Sequence, residues 1–148
     1  MKESDEKVPT MPCRVLIIDD YADNRELLRL MLEQAGYVVS EAGSGREGVE
    51  MARAEPPDMA LVDLSMPGID GWNVLKELRA DARTIRVPCA AVSAFADGAR
   101  ERALAHGFNA YLTKPFRRNE LLEVVEQLRT SRQAESNQGE TQGQEEIL

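Results

Sequence analysis

An α/β fold built on a five-stranded parallel sheet follows from two observations on this sequence. Five short, β-rich apolar runs alternate with five stretches of helical periodicity between Arg14 and Arg129, the pattern of strands joined by helical crossovers. The first run, Arg14 to Ile18, is apolar after its arginine and the third is apolar from Met59 to Val62, as in strands covered on both faces. Right-handed crossovers and two covered faces favour a doubly wound sheet. For a domain of this size the expected strand order is 2-1-3-4-5.

The first run, Arg14 to Ile18, stops abruptly at Asp19-Asp20. From Asp23 to Ala35, Leu28, Leu32 and Ala35 repeat at i, i+4 and i+7, and Gly36 supplies a helix stop. Tyr37 to Ala42 is the second strand. Ser44 and Glu47 make a Ser-x-x-Glu capping box for a helix running to about Ala54, which Pro56-Pro57 ends. Met59 to Asp63 is the third strand. Beyond it, Met66-Pro67-Gly68 cannot extend a strand, because proline has no amide donor and glycine favours turns. A helix over 71–80 buries Val74, Leu75 and Leu78. Pro88 introduces a fourth strand, Cys89 to Ser93, followed by a weaker helix over 98–106 that stops at Gly107. A short fifth strand, Ala110 to Thr113, meets Lys114-Pro115, and the last helix covers 120–129.

This divides the 148 residues into a flexible arm (1–12), one folded domain (13–130) and a disordered polar, acidic tail (131–148). Hydrophobic residues make up 43% of the chain, enough for a sizeable core. The net charge is -8 and the pI about 4.8, which argues against nucleic acid or an anionic membrane surface as partner. The two ends hold -1 and -3 of that charge, leaving -4 for the domain. No run approaches the roughly 18 apolar residues of a membrane span, and residues 2–7 lack the apolar centre of a signal peptide. Cys13 and Cys89 show neither metal-ligand spacing nor a disulfide framework. The expectation is a cytoplasmic protein with reduced thiols, monomeric or weakly dimeric.

In the order 2-1-3-4-5 the winding reverses between the first and third strands, and ligands bind beyond the strand carboxyl ends at that point. Asp19 and Asp20 end the first strand there, Asp63 the third, Ser93 the fourth and Lys114 the fifth. Adjacent strands lie roughly 4.8 Å apart, so the three carboxylates converge. One acid at a strand end caps a helix; three together repel unless a cation is shared among them. With only oxygen ligands at hand, Mg²⁺ suits the site better than zinc.

Asp19-Asp20, Asp63, Ser93-Ala94 and Lys114-Pro115, in this order and spacing, resemble the receiver (CheY-like) domain of two-component response regulators, over about residues 13–129. In length the chain is similar to stand-alone regulators of the chemotaxis and cell-cycle type. The resemblance implies that Asp63 is the phosphoacceptor, taking a phosphoryl group from a sensor histidine kinase or a phosphotransfer protein. Asp20, Asp63 and the backbone carbonyl of Ser65 match direct Mg²⁺ ligands, with Asp19 acting through water. Lys114 and Ser93 match the groups that hold the phosphoryl oxygens. Tyr111 matches an aromatic switch residue, and the Lys114-Pro115 bond matches one that is usually cis.

The output expected is a phosphorylation-dependent contact with a downstream protein, through a face carrying Phe95, Tyr111 and Arg117. The chain is expected to be an enzyme only in assisting its own phosphorylation and slow dephosphorylation. Charge-assisted hydrogen bonds contribute about 1.5–3 kcal/mol each, so two of them supply about 3–6 kcal/mol. Moving a conformer from 1:99 to 99:1 takes about 5.5 kcal/mol. Ser65 and Phe95, at positions that tune dephosphorylation in this family, offer no carboxylate or amide to orient water. A long-lived phosphoprotein is expected.

Other readings compete. Gly43, Gly45 and Gly48 form G-x-G-x-x-G after a strand, which alone suggests a nucleotide-binding enzyme; Glu47 in the first turn opposes a pyrophosphate there. A phosphorylation-independent adaptor with the same fold is a further alternative. The single histidine, His106, has its ordinary place near a helix end. Arg100, Arg102, Arg117 and Arg118 are a mild basic concentration without a nucleic-acid reading element.

Overall fold

The computed structural model describes residues 12–94 and 96–147, with side chains as far as Arg132. Phe95 and residues 1–11, nearly all of the expected arm, lie outside the described residues. The elements are β1 (Arg14–Ile18), α1 (Ala22–Gln34), β2 (Val38–Ala42), α2 (Gly45–Ala54), β3 (Met59–Asp63), α3 (Gly71–Arg79), β4 (Cys89–Ala94), α4 (Ala99–His106), β5 (Ala110–Lys114) and α5 (Arg118–Ile147). All five strands are parallel and stand in the order β2-β1-β3-β4-β5, the doubly wound arrangement expected.

The continuous apolar runs are explained by the two layers they feed. Val15 and Ile17 of β1, with Met59 and Leu61 of β3, pack against Leu28 and Leu32 of α1 and Leu121, Val125 and Leu128 of α5. Leu16, Ile18, Ala60 and Val62 face the other way, onto Val49 of α2, Val74, Leu75 and Leu78 of α3 and Ala103 of α4. Each of these residues of β1 and β3 therefore has a buried place whichever way it points. A buried side chain of this size contributes roughly 1.5–3 kcal/mol. Ile17, Ile18, Leu61 and Val62 are all at or below 1% exposure. Strand β2 is one edge of the sheet, and its Val38 is 47% exposed.

Local signals set the helix ends. The Ser44 hydroxyl accepts from the Glu47 N–H (3.1 Å), and the Glu47 carboxylate accepts from the Gly43 N–H (2.8 Å), closing the capping box. Asp70 caps α3 by accepting from the Asn73 N–H at 3.0 Å. Gly107 ends α4 at φ +113°, in left-handed space that a Cβ disfavours.

The last helix departs most from expectation. It begins at Arg118, where the Glu120 carboxylate accepts from the Arg117 N–H (2.7 Å), and it ends at Ile147. The helical backbone thus runs past the expected end at Arg129 into 131–147, the segment expected as a polar tail. The expected end at Arg129 rested on where apolar residues run out, which measures packing. Helix formation asks only for compatible residues: beyond Arg129 there is no proline, and Glu, Gln and Ala predominate over the two glycines.

Candidate functional site

Strands β1 and β3 are neighbours in register, with Ile18 opposite Val62, so their next residues, Asp19 and Asp63, emerge side by side. Both are buried, at 2% and 4% exposure, while Asp20 is exposed. One carboxylate oxygen from each of Asp19, Asp20 and Asp63 lies within 4.8 Å of the others. The five sequence-assigned positions at the strand ends thus share one rim.

Each buried carboxylate is half satisfied by its own loop. Asp19 Oδ1 accepts from the Tyr21 N–H at 2.9 Å. Asp63 Oδ1 accepts from the Ser65 N–H at 3.1 Å and from the Ser65 hydroxyl at 3.4 Å. Lys114, at the end of β5, places Nζ 3.7 Å from both Asp19 Oδ2 and Asp63 Oδ1. That is ion-pair distance, longer than a hydrogen bond. Asp19 Oδ2 is buried and has no hydrogen-bond partner among the described residues. Burial pushes the Asp19 carboxyl above its ordinary value and the Asp63 charge adds to this, against the Tyr21 N–H, Lys114 and Asn24. Three carboxylates facing one ammonium leave an excess of negative charge. Oxygen donors, a like-charge cluster and an unpartnered buried oxygen fit a hard divalent cation.

Ser93 is half-buried on β4, one residue beyond Val92, the register partner of Asp63. Tyr111 is buried at 8% exposure, and its hydroxyl donates to the Ala94 carbonyl at 3.3 Å, tying β5 to the end of β4 beside Ser93. The Lys114-Pro115 bond is cis, as the resemblance implied. Arg117 is exposed just before α5. His106 packs against Trp72 with ring centroids 4.9 Å apart and planes tilted by 60°, and places Nδ1 2.8 Å from the Arg102 carbonyl, an ordinary helix-end position.

The glycine motif has a packing explanation. A Cβ on Gly45 would stand 2.4 Å from the Ile69 carbonyl, and one on Gly48 2.5 Å from the Ile18 side chain. The helix end beside them is filled by the Ser44–Glu47 capping box.

Gly71 is a site residue that the sequence reading missed. A Cβ there would lie 2.3 Å from the Asp63 carbonyl oxygen and 2.8 Å from Leu64 Cα. Only glycine lets the first turn of α3 rest on the strand end that presents Asp63. Leu64 and Met66, at 7% and 5% exposure, anchor the intervening loop in the core. A lone glycine after Asp70 carries no local mark of this approach.

With this geometry the comparisons agree. The model of the response regulator receiver domain matches residues 15–126, and the chain belongs to that family. It is similar to the polar-differentiation response regulator DivK of Brucella anthropi, 34% identical over 116 residues, 78% of this chain and 94% of the relative. The protein PilH of Pseudomonas aeruginosa is 36% identical over 114 residues, 76% of this chain and 93% of the relative. Among solved structures, the receiver domain of the sensor histidine kinase PA1611 of Pseudomonas aeruginosa superposes with a TM-score of 0.74 at 33% identity. That match covers 80% of this chain and 98% of that one, and the structure holds a magnesium ion in its active-site cleft. The protein is a response regulator of two-component signalling. Among the described residues no helix is long and apolar enough to cross a membrane.

Proposed function

We propose that this response regulator accepts a phosphoryl group on Asp63 from a phosphohistidine of a sensor kinase or phosphotransfer protein, with Mg²⁺ bound at the same rim. The observation that carries the reading is the buried Asp63 carboxylate at a strand end, beside two further acids and 3.7 Å from an ammonium. Asp63 Oδ1 is held by Ser65, whereas Oδ2 accepts no hydrogen bond among the described residues. A carboxylate oxygen attacks phosphorus, the P–N bond to the imidazole breaks, and the histidine leaves with its electron pair and takes up a proton.

Lys114 neutralises charge on the transferred group, and the Ser93 hydroxyl donates a hydrogen bond to it. Asp19, Asp20, Asp63 and the Ser65 carbonyl are the groups that would hold Mg²⁺, which supplies charge neutralisation for phosphoryl transfer when bound. Ser65, held against Asp63 Oδ1, offers no carboxylate or amide to orient water, which supports a long-lived adduct and no turnover of other substrates.

The output is a protein contact through the face formed by α4, β5 and α5, at which Arg117 is exposed while Tyr111 is buried. Both cysteines are free thiols, in keeping with the cytoplasm. Intact-mass measurement after incubation with acetyl phosphate tests the reading. A Mg²⁺-dependent phosphoryl adduct is expected on the wild type and none on Asp63→Asn. A wild type that takes no adduct would favour the adaptor alternative.

A further inference from the structure

We propose that Arg25, on α1, is a positioning residue that sets the Asp19–Asp20 pair for metal binding. The proposal rests on the reading of the site given above. The Arg25 Nη1 donates to the Asp19 backbone carbonyl at 2.8 Å, and its Nε donates to Glu41 Oε1 at 3.2 Å. Glu41 on β2 is held from its other oxygen by Arg29 Nε at 2.7 Å. The guanidinium lies across Gly43, where a Cβ would come within 3.3 Å of Nη1. On the other side of the same residue, the Asp19 N–H donates to the Ala42 carbonyl at 3.1 Å.

The Asp19 carbonyl belongs to the peptide plane that joins Asp19 to Asp20. The orientation of that plane, with the adjoining φ and ψ, sets the directions in which the two carboxylates leave the chain. With its amino side tied to β2 by Ala42 and its carbonyl side tied to β2 through Arg25 and Glu41, the pair is braced from outside the cluster. Arg25 is half-buried, and its planar fork engages the carbonyl and the carboxylate through two fixed, separated N–H directions that the compact ammonium of a lysine does not reproduce. None of the groups described at the site performs this task, since Tyr21 and Lys114 contact only the Asp19 side chain.

The sign of the effect separates positioning from simple charge. Removing a cation near three carboxylates, at fixed geometry, strengthens Mg²⁺ binding by Coulomb's law. Loss of positioning weakens it, typically by about 10-fold or more for a group that orients metal ligands. The test is calorimetric titration of the full chain with Mg²⁺, comparing wild type, Arg25→Met, Arg25→Lys and Arg29→Met, with thermal melting to verify folding.

Arg25→Met is expected to weaken Mg²⁺ about 10-fold. Arg25→Lys, with its charge kept, is expected to fall between that variant and wild type; if Arg25→Met does not fold, Arg25→Lys carries the test. Arg29→Met, which loses the same Glu41 but never touches Asp19, is expected to bind as wild type. Unchanged or tighter binding in the Arg25 variants overturns the role, as does equal weakening by Arg29→Met. A wild type that binds no Mg²⁺ overturns the metal assignment itself and this role with it.

Discussion

The two ends of the sheet treat charge in opposite ways. At the amino end, Asp58 sits between Arg14, whose N–H donates to it at 2.7 Å, and Arg132, paired at 3.1 Å. Asp81, just past α3, is paired with Arg83 at 2.8 Å and Arg53 at 3.2 Å. At the carboxyl end three carboxylates crowd together, a lysine stands 3.7 Å from two of them, and a buried Asp19 oxygen accepts no hydrogen bond among the described residues. The titrations diverge accordingly. Hydrogen bonds from Arg83 pull the Asp81 carboxyl down to about 2, whereas burial pushes that of Asp19 up. Paired acids close loops and settle the fold; the unpaired cluster is unfavourable by itself and gains only when something else arrives.

This contrast is open to attack in three places. The largest effect is expected from Lys114→Met, which should slow phosphoryl transfer from acetyl phosphate about 100-fold while the protein still melts cooperatively in Mg²⁺. A variant that unfolds instead would make the lysine part of the scaffold. Gly71→Ala forces a Cβ onto the Asp63 carbonyl, so it should lower the unfolding free energy by about 2–3 kcal/mol and impair adduct formation together. Urea denaturation and intact mass measure the two; loss of one without the other would uncouple α3 from the site.

The smallest effect is expected at the amino end. Asp81→Asn should leave phosphoryl acceptance unchanged. Because the folded state holds the Asp81 carboxyl below its ordinary 3.8, at about 2, its contribution is present above pH 3.8 and is lost as the pH falls towards 2. Urea midpoints of wild type and variant should therefore differ near neutrality and converge in acid. A pH-independent difference would contradict the pairing.

What the sequence disclosed, and what it hid, divides along similar lines. β1 and β3 begin and end where the apolar runs do, because burial on both faces writes itself into consecutive residues. Asp19, Asp63 and Lys114 were legible because a charge directly after such a run has one rim to occupy. Gly71 and Arg25 were not. Their roles depend on what approaches them from elsewhere, Asp63 in one case and Glu41, 16 residues away, in the other. Arg79 is similar: it donates to the carbonyls of Ile85, Val87 and Gly107 and to the Asn109 side chain, none of which its helical neighbours announce. The G-x-G-x-x-G stretch shows the converse, a local pattern whose glycines serve contacts with Ile18 and Ile69.

Were a cation to bind against the Asp19 oxygen that accepts no hydrogen bond, ion concentration would become a variable of folding. The penalty of that oxygen exists only in the native state, since an unfolded chain leaves the same carboxylate to water. A cation that satisfies it is therefore linked to the folding equilibrium, and each tenfold excess over its dissociation constant deepens the native well by about 1.4 kcal/mol. Thermal stability measured in chelator and in millimolar salt would describe two different landscapes of one chain.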